Sequence, residues 1–292
     1  MKNLLIGIKK MKKIKLYLNY AGHCFASAQH VVKGDENKLI KFHALFGILH
    51  HPEEGWILFD TGYTRRFYEA TEKYPNRIYA NATKVVVSES DEIKNQLKLI
   101  GLKTSDIKHI VISHFHADHV GGLKDFNNAT MYCTKKAYQQ VKEISDFFAF
   151  SKGILKDLIP NDIENRLVFI EDFAAQYSDD IFGVSYDLFQ DNSVVIYDLP
   201  GHAAGQIGMV VKTNKKKYFL VADSCWDERA YKKGKLPNPI VRLFFDSWKD
   251  YRDSLKKVTF FHKKYPEVII IPTHCSKTTD NLVSNKIDMD VL

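Results

Sequence analysis

The chain lacks the features that mark a membrane protein, a disulfide scaffold or a repeat array. No apolar run approaches the length needed to span a bilayer. The apolar stretch at residues 4–8 is too short for a secretory core, and no small-residue cleavage site follows it, so a cytoplasmic chain is expected. Met11 is an alternative start, which would make residues 1–10 a loose, disordered extension. Cysteine is scarce: the four, Cys24, Cys133, Cys225 and Cys275, form no CxxC pair and no zinc-ribbon spacing. In a reducing compartment they are expected to stay unpaired, with Cys225 and Cys275 acting as small buried apolar groups. There is no internal repeat, low-complexity tract or linker, so one domain spanning residues 1–292 is expected.

Charge of one sign is only mildly in excess. Forty-two Lys and Arg against 35 Asp and Glu give a formal net charge of +7. The lysines are scattered, with small groups at Lys9, Lys10, Lys12 and Lys13, at 215–217, and at Lys232, Lys233 and Lys235. They read as solvated surface, and the aromatics do not interleave with them, so neither a nucleic acid nor a membrane is expected as partner. A small-molecule substrate is expected, and a homodimer is left open.

What the chain does have is a series of apolar strands that end in polar, metal-binding residue types. Residues 14–20 alternate as a half-buried strand does, and a loop is expected over 21–34. Residues 40–49 and 56–60 read as a hairpin joined by HHPEEG, whose His50 and His51 are expected to be solvated. A helix capped by Ser88 or Ser90 carries Ile93, Leu97 and Ile100 and stops at Gly101. A buried strand over 110–112 then runs into HFHADHVGG. Further strands are read at 130–133, 167–170, 185–189, 194–198, 207–211, 218–222 and 267–272. Residues 135–165 and 247–264 read as helical, the former with a break near Pro160. The 135–165 segment is long enough to act as a lid.

His114, His116, Asp118 and His119 put three imidazoles and a carboxylate on a loop at the end of a buried strand. Open α/β sheets bind ligands at that end, and these ligand types suit zinc and neighbouring divalent ions. Alternate loop residues can share a direction, so His114 and His116 can serve one ion while Asp118 and His119 turn toward a second. His202, Asp223 and His274 each follow a further apolar strand. Asp60 ends the strand WILFD; either a turn cap or a partner for a ligand histidine fits it. Ser113 and Thr273 precede ligands and are read as satisfying nearby backbone groups.

The blocks ILFDTG, TSDIKHIVISHFHADHVGGL, LPGHAAGQ and the final THC resemble the metallo-β-lactamase superfamily, most of all its N-acyl homoserine lactonase group. The resemblance implies an α/β, four-layer αββα sandwich with two divalent metal ions, zinc by default, with iron, manganese or cobalt as alternatives. It implies one ion on His114, His116 and His202, another on Asp118, His119 and His274, and Asp223 bridging them. It also implies that a hydroxide shared by the metals attacks a carbonyl ester, with Asp118 as proton acceptor. Two departures bear on substrate. Trp226 stands where lactonases of this type carry a tyrosine, leaving Tyr63 and Tyr231 as candidate substitutes, and the last motif reads PTHCS. A lactonase is the leading expectation. A glyoxalase-II-like thioesterase, a phosphodiesterase or ribonuclease, and a non-catalytic metal-binding protein are the alternatives.

Overall fold

A computed structural model of the chain describes residues 12 and 14–283; the residue 1–10 extension and the choice between Met1 and Met11 lie outside the described residues. The strands are β1 (Lys15–Ser27), β2 (Leu39–His51), β3 (Gly55–Phe59), β4 (Val85–Val86), β5 (Ile107–Val111), β6 (Thr130–Cys133) and β7 (Leu167–Phe169). They continue as β8 (Ala175–Asp179), β9 (Gly183–Asp187), β10 (Val194–Asp198), β11 (Ile207–Lys212), β12 (Lys217–Ala222) and β13 (Ile269–Pro272). One sheet has the order β4-β1-β2-β3-β5-β6-β7 and the other β13-β12-β11-β10-β9-β8.

The period of two along each strand builds the layers. On β2, Leu45 and Leu49 face one way, and Ala44, Phe46 and Ile48 the other. On β12, Leu220 and Ala222 face one way, and Phe219 and Val221 the other. The first set named on each strand lies between the sheets, where Ile57, Phe59 and Val111 pack with Val194, Ile196, Met209 and Ile271. The outer face of the first sheet is covered by Ile93 and Leu97 of one helix and by Ala137 and Val141 of another. The outer face of the second is covered by Leu255, Val258 and Phe261 of the helix Trp248–Lys264. Helices therefore flank two stacked sheets, the αββα arrangement.

Several local expectations are corrected. The stretch 21–34 is not all loop: β1 runs on to Ser27, because a bulge at residues 20–23, with Gly22 at φ 76°, shifts the register against β2 and breaks the alternation. In 135–165 only Lys135–Glu143 is a helix of more than one turn. Beyond it, Ile154 and Leu155 are buried from irregular chain and Leu158 from the 3-10 turn Lys156–Leu158, so apolar spacing there reports burial and not helix. Ser88 caps the turn Glu89–Asp91, not the helix Ile93–Leu99 that follows. His51 is buried, not solvated: its Nδ1 accepts from the N–H groups of Glu53 and Glu54, and its Nε2 lies 2.9 Å from Asp191 Oδ2. Edge strands β4 and β8 carry mostly exposed or half-buried residues, so neither shows a strand pattern in the sequence.

Candidate functional site

Five strands deliver the site from their carboxyl ends. Asp60 follows β3, the segment from Ser113 to His119 follows β5 and runs from a loop into the one-turn helix Ala117–Val120, His202 follows β10, Asp223 follows β12, and His274 follows β13. The backbone is strained where it turns into the site: Asp60 sits at φ 58° and Ala222, just before Asp223, at φ 47°. Such left-handed conformations cost about 1–3 kcal/mol each for residues with a side chain and cluster at functional sites. Gly201 has φ 125°, and a Cβ there would lie 1.9 Å from the backbone nitrogen of Tyr251. Only glycine lets the His202 turn rest against the first turn of the helix Trp248–Lys264. Gly153, at φ 70°, is pressed against the His116 ring in the same way.

All seven candidate metal ligands come together. His114, His116 and His202 form one group, Asp118, His119 and His274 another, and His114, His119 and Asp223 a third that overlaps both; within each group the ligand atoms lie within 4.8 Å of one another. Asp223 Oδ2 is 2.9 Å from His274 Nε2 and 3.3 Å from His202 Nε2, while its Oδ1 is 3.5 Å from His119 Nε2. His202 Nε2 and His116 Nδ1 face each other at 2.9 Å.

Three of the ring nitrogens turned away from this centre, those of His119, His274 and His114, are held. His119 Nδ1 meets Asp60 Oδ2 at 2.7 Å, and His274 Nδ1 donates to the carbonyl of His43 at 2.7 Å. Ser113 Oγ donates to Asp60 Oδ2 at 2.7 Å and lies 3.0 Å from His114 Nδ1. Asp60 is thus a partner of a ligand-type histidine and not a turn cap. Ser113 belongs to the same network, so reading it as a backbone-satisfying residue is corrected; one side-chain hydroxyl beside a strand end gives no sign of which groups it meets.

The electrostatics favour a cation. Burial pulls the imidazoles of His114, His116 and His202 below their ordinary range, to about 3 for His116 and about 4 for His202, so all three offer lone pairs near neutral pH. Burial works to raise the two carboxyls, but His119 and His274 outweigh it at Asp118, held at about 2, and His274 and His202 outweigh it at Asp223. Burial likewise opposes protonation of His119, yet Asp118 and Asp60 outweigh it and raise its pKa well above the usual value. At the centre, His114 Nε2, His119 Nε2 and Asp223 Oδ1 are buried with no hydrogen-bond partner among the described residues. Orphaned buried polar atoms cost about 1–3 kcal/mol each. Imidazoles and carboxylates aimed at a shared centre are the donor set that a zinc-like cation satisfies. The residues present fit such ions.

A cavity of about 660 Å³ opens onto this cluster. Its wall includes Val31, Leu39, Phe42, Ile78, Leu243 and Phe244, and no lysine or arginine lines it among the described residues. Phe150, Ser151 and Gly153 of the 135–165 segment contribute to it. Tyr63 and Trp226 line it as well. Tyr231 does not: it is buried in the core beneath its own short helix, with its ring 5.0 Å from that of His262. Tyr79, which the sequence did not single out, lines the cavity beside Tyr63. Its helix, Arg77–Ala82, has no fully buried residue, so no apolar period marked it.

Comparison with known proteins agrees with this geometry. The chain is 27% identical over 177 residues to an N-acyl homoserine lactonase AttM of Rhizobium radiobacter, a match covering 60% of this chain and 61% of that protein. The chain therefore spans only about three fifths of the AttM relative it matches. It is 23% identical over 233 residues to an N-acyl homoserine lactonase of a Bacillus species, covering 80% and 82% of the two chains. A solved N-acyl homoserine lactone hydrolase, with N-hexanoyl-L-homoserine bound at its catalytic metal centre, superposes with a TM-score of 0.72 at 21% identity, over 93% and 96% of the two chains. At that identity the superposition speaks for the fold. The model of the metallo-beta-lactamase superfamily matches residues 47–274, from β2 through the last ligand-type histidine, and the chain belongs to that superfamily.

Proposed function

We propose that the chain is a two-metal hydrolase of uncharged carbonyl esters, with a lactone as its foremost substrate class. His114, His116 and His202 would hold one ion and Asp118, His119 and His274 the other, with Asp223 available to both. The observation that carries the reading is the set of three overlapping donor groups, with three buried atoms that have no hydrogen-bond partner among the described residues, at an apolar cavity.

When bound, a pair of divalent cations acidifies water and polarises an ester carbonyl. The residues of the chain do the rest. Asp118 lines the cavity and is kept ionised by His119 and His274, so it can take the proton that water gives up and return it to the leaving oxygen. Asp60, Ser113 and the His43 carbonyl fix the ring orientation of His119, His114 and His274. Tyr63 and Tyr79 supply hydroxyl groups at the cavity wall near Asp118. Among the described residues no lysine or arginine lines the cavity, which favours a neutral substrate over a phosphodiester, and the apolar wall suits an acyl chain. The lactonases among its relatives support the choice of lactone.

Metal analysis and a substrate panel test the reading. About two ions per chain are expected, and His116→Ala and Asp223→Ala should lose both metal and turnover. The panel holds acyl lactones, acyl thioesters, phosphodiesters and an aryl ester. Turnover of lactones without phosphodiesters supports the proposal. Undiminished hydrolysis by Asp223→Ala, or phosphodiester turnover alone, overturns it.

A further inference from the structure

We infer that Trp226 is a positioning residue: its indole N–H holds Oδ2 of Asp223, the oxygen that also faces His202 and His274, and so sets the direction in which Oδ1 points, toward His119. The inference rests on the reading of Asp223 as a ligand shared by two ions. Trp226 Nε1 donates to Asp223 Oδ2 at 3.0 Å. Oδ1 is buried with no hydrogen-bond partner among the described residues and lies 3.5 Å from His119 Nε2. The torsion that turns a carboxylate is broad and roughly two-fold, so an unheld Asp223 can swap or tilt its oxygens. An indole nitrogen only donates, and it therefore fixes which oxygen points where.

The indole is itself held. Its ring meets those of Phe42, Phe245 and His202 edge-on, at 5.5, 5.2 and 5.5 Å and interplanar angles of 84°, 88° and 81°. Phe42 in turn stacks on His274 at 3.7 Å and 17°. One aromatic cluster thus sets the angles of Trp226, His202 and His274 together, and the N–H carries that order to Asp223. The indole also forms part of the wall between the site cavity and a neighbouring polar cavity of about 770 Å³, since it lines both. Removing the whole ring would merge the two spaces. Trp226→Phe keeps the wall and deletes the N–H, so it isolates the positioning role.

The test is metal titration of wild type and Trp226→Phe with zinc against a competing chelator, and with cobalt followed by its visible spectrum. Loss of a hydrogen bond to a ligand commonly costs about 10- to 100-fold in metal affinity, and a drop of that size with an altered cobalt spectrum is expected. A second readout needs no change at residue 226. With Trp56 and Trp248 replaced by Phe, the sole remaining indole should change its emission with the same midpoint as metal binding. A Trp226→Phe protein that takes up two ions with wild-type affinity and spectrum overturns the inference, as does Trp226 emission blind to metal. If wild-type protein binds fewer than two ions, the two-metal reading falls first, and this inference with it.

Discussion

Asp60→Asn changes one atom at the base of the site, and its effect can be worked out from the hydrogen bonds. Asp60 is fully buried and accepts three of them: Oδ1 from the Ser113 N–H at 2.7 Å, and Oδ2 from Ser113 Oγ and His119 Nδ1, each at 2.7 Å. Asparagine offers one acceptor oxygen and one donor NH2. With the amide turned one way, NH2 opposes the Ser113 N–H. Turned the other way, it opposes His119 Nδ1–H and drives the His119 proton to Nε2, the atom aimed at the ion. Either arrangement loses a buried, charge-assisted bond, and hydrogen bonds to charged groups contribute about 1.5–3 kcal/mol. At about 1.4 kcal/mol per tenfold, metal affinity should fall roughly 10- to 150-fold. Competition against a chelator measures it directly, and circular dichroism checks that the fold is kept. Wild-type affinity and stoichiometry in Asp60→Asn would refute the claim that this carboxylate sets the His119 tautomer.

Two further perturbations probe the scaffold. Gly201→Ala should destabilise the protein by at least about 1–3 kcal/mol from backbone strain alone, because the new Cβ would also fall 1.9 Å from Tyr251 N; a urea midpoint within error of wild type would contradict this. Burial works to raise the Asp191 carboxyl, but Ser193 and His51 outweigh it and hold it below its ordinary value. A depressed folded pKa contributes stability above the unfolded value of about 4 and loses it as pH falls through the folded value. Asp191→Asn should accordingly flatten the decline of the urea midpoint below about pH 4, and parallel decline in both proteins would refute it.

The parts of the fold legible in the sequence were those whose burial follows a continuous apolar run, as in strands buried on both faces, or a helical period. β6 and β10 coincide with apolar runs at 130–133 and 194–198, and the helix Trp248–Lys264 follows directly on its cap, Ser247. What escaped was burial without period. Ile154 and Leu155 fill the core from irregular chain and Leu158 from a 3-10 turn, and β8 contributes a strand through backbone bonds to β9 while its side chains stay exposed or half-buried. His51 was misread because a hairpin end normally meets solvent, whereas here the second sheet brings Asp191 over it.

The same division runs through the site. A metal ligand must be one of a few residue types, and it must stand at a strand's carboxyl end to reach a shared centre, so type and position together mark it in the sequence. A group that orients a ligand has no such restriction. His43 acts through its carbonyl, Ser113 through a hydroxyl that meets three partners, and Trp226 through an N–H three residues beyond Asp223. Any residue can present a carbonyl, and many side chains carry a donor. These roles are fixed only by the packing of β2 against the β13 end, and of Phe42 and Phe245 about the indole. It follows that relatives can keep the seven ligand-type residues and still differ in metal affinity and substrate. The residues that decide those properties are the ones whose identity the ligand pattern leaves free.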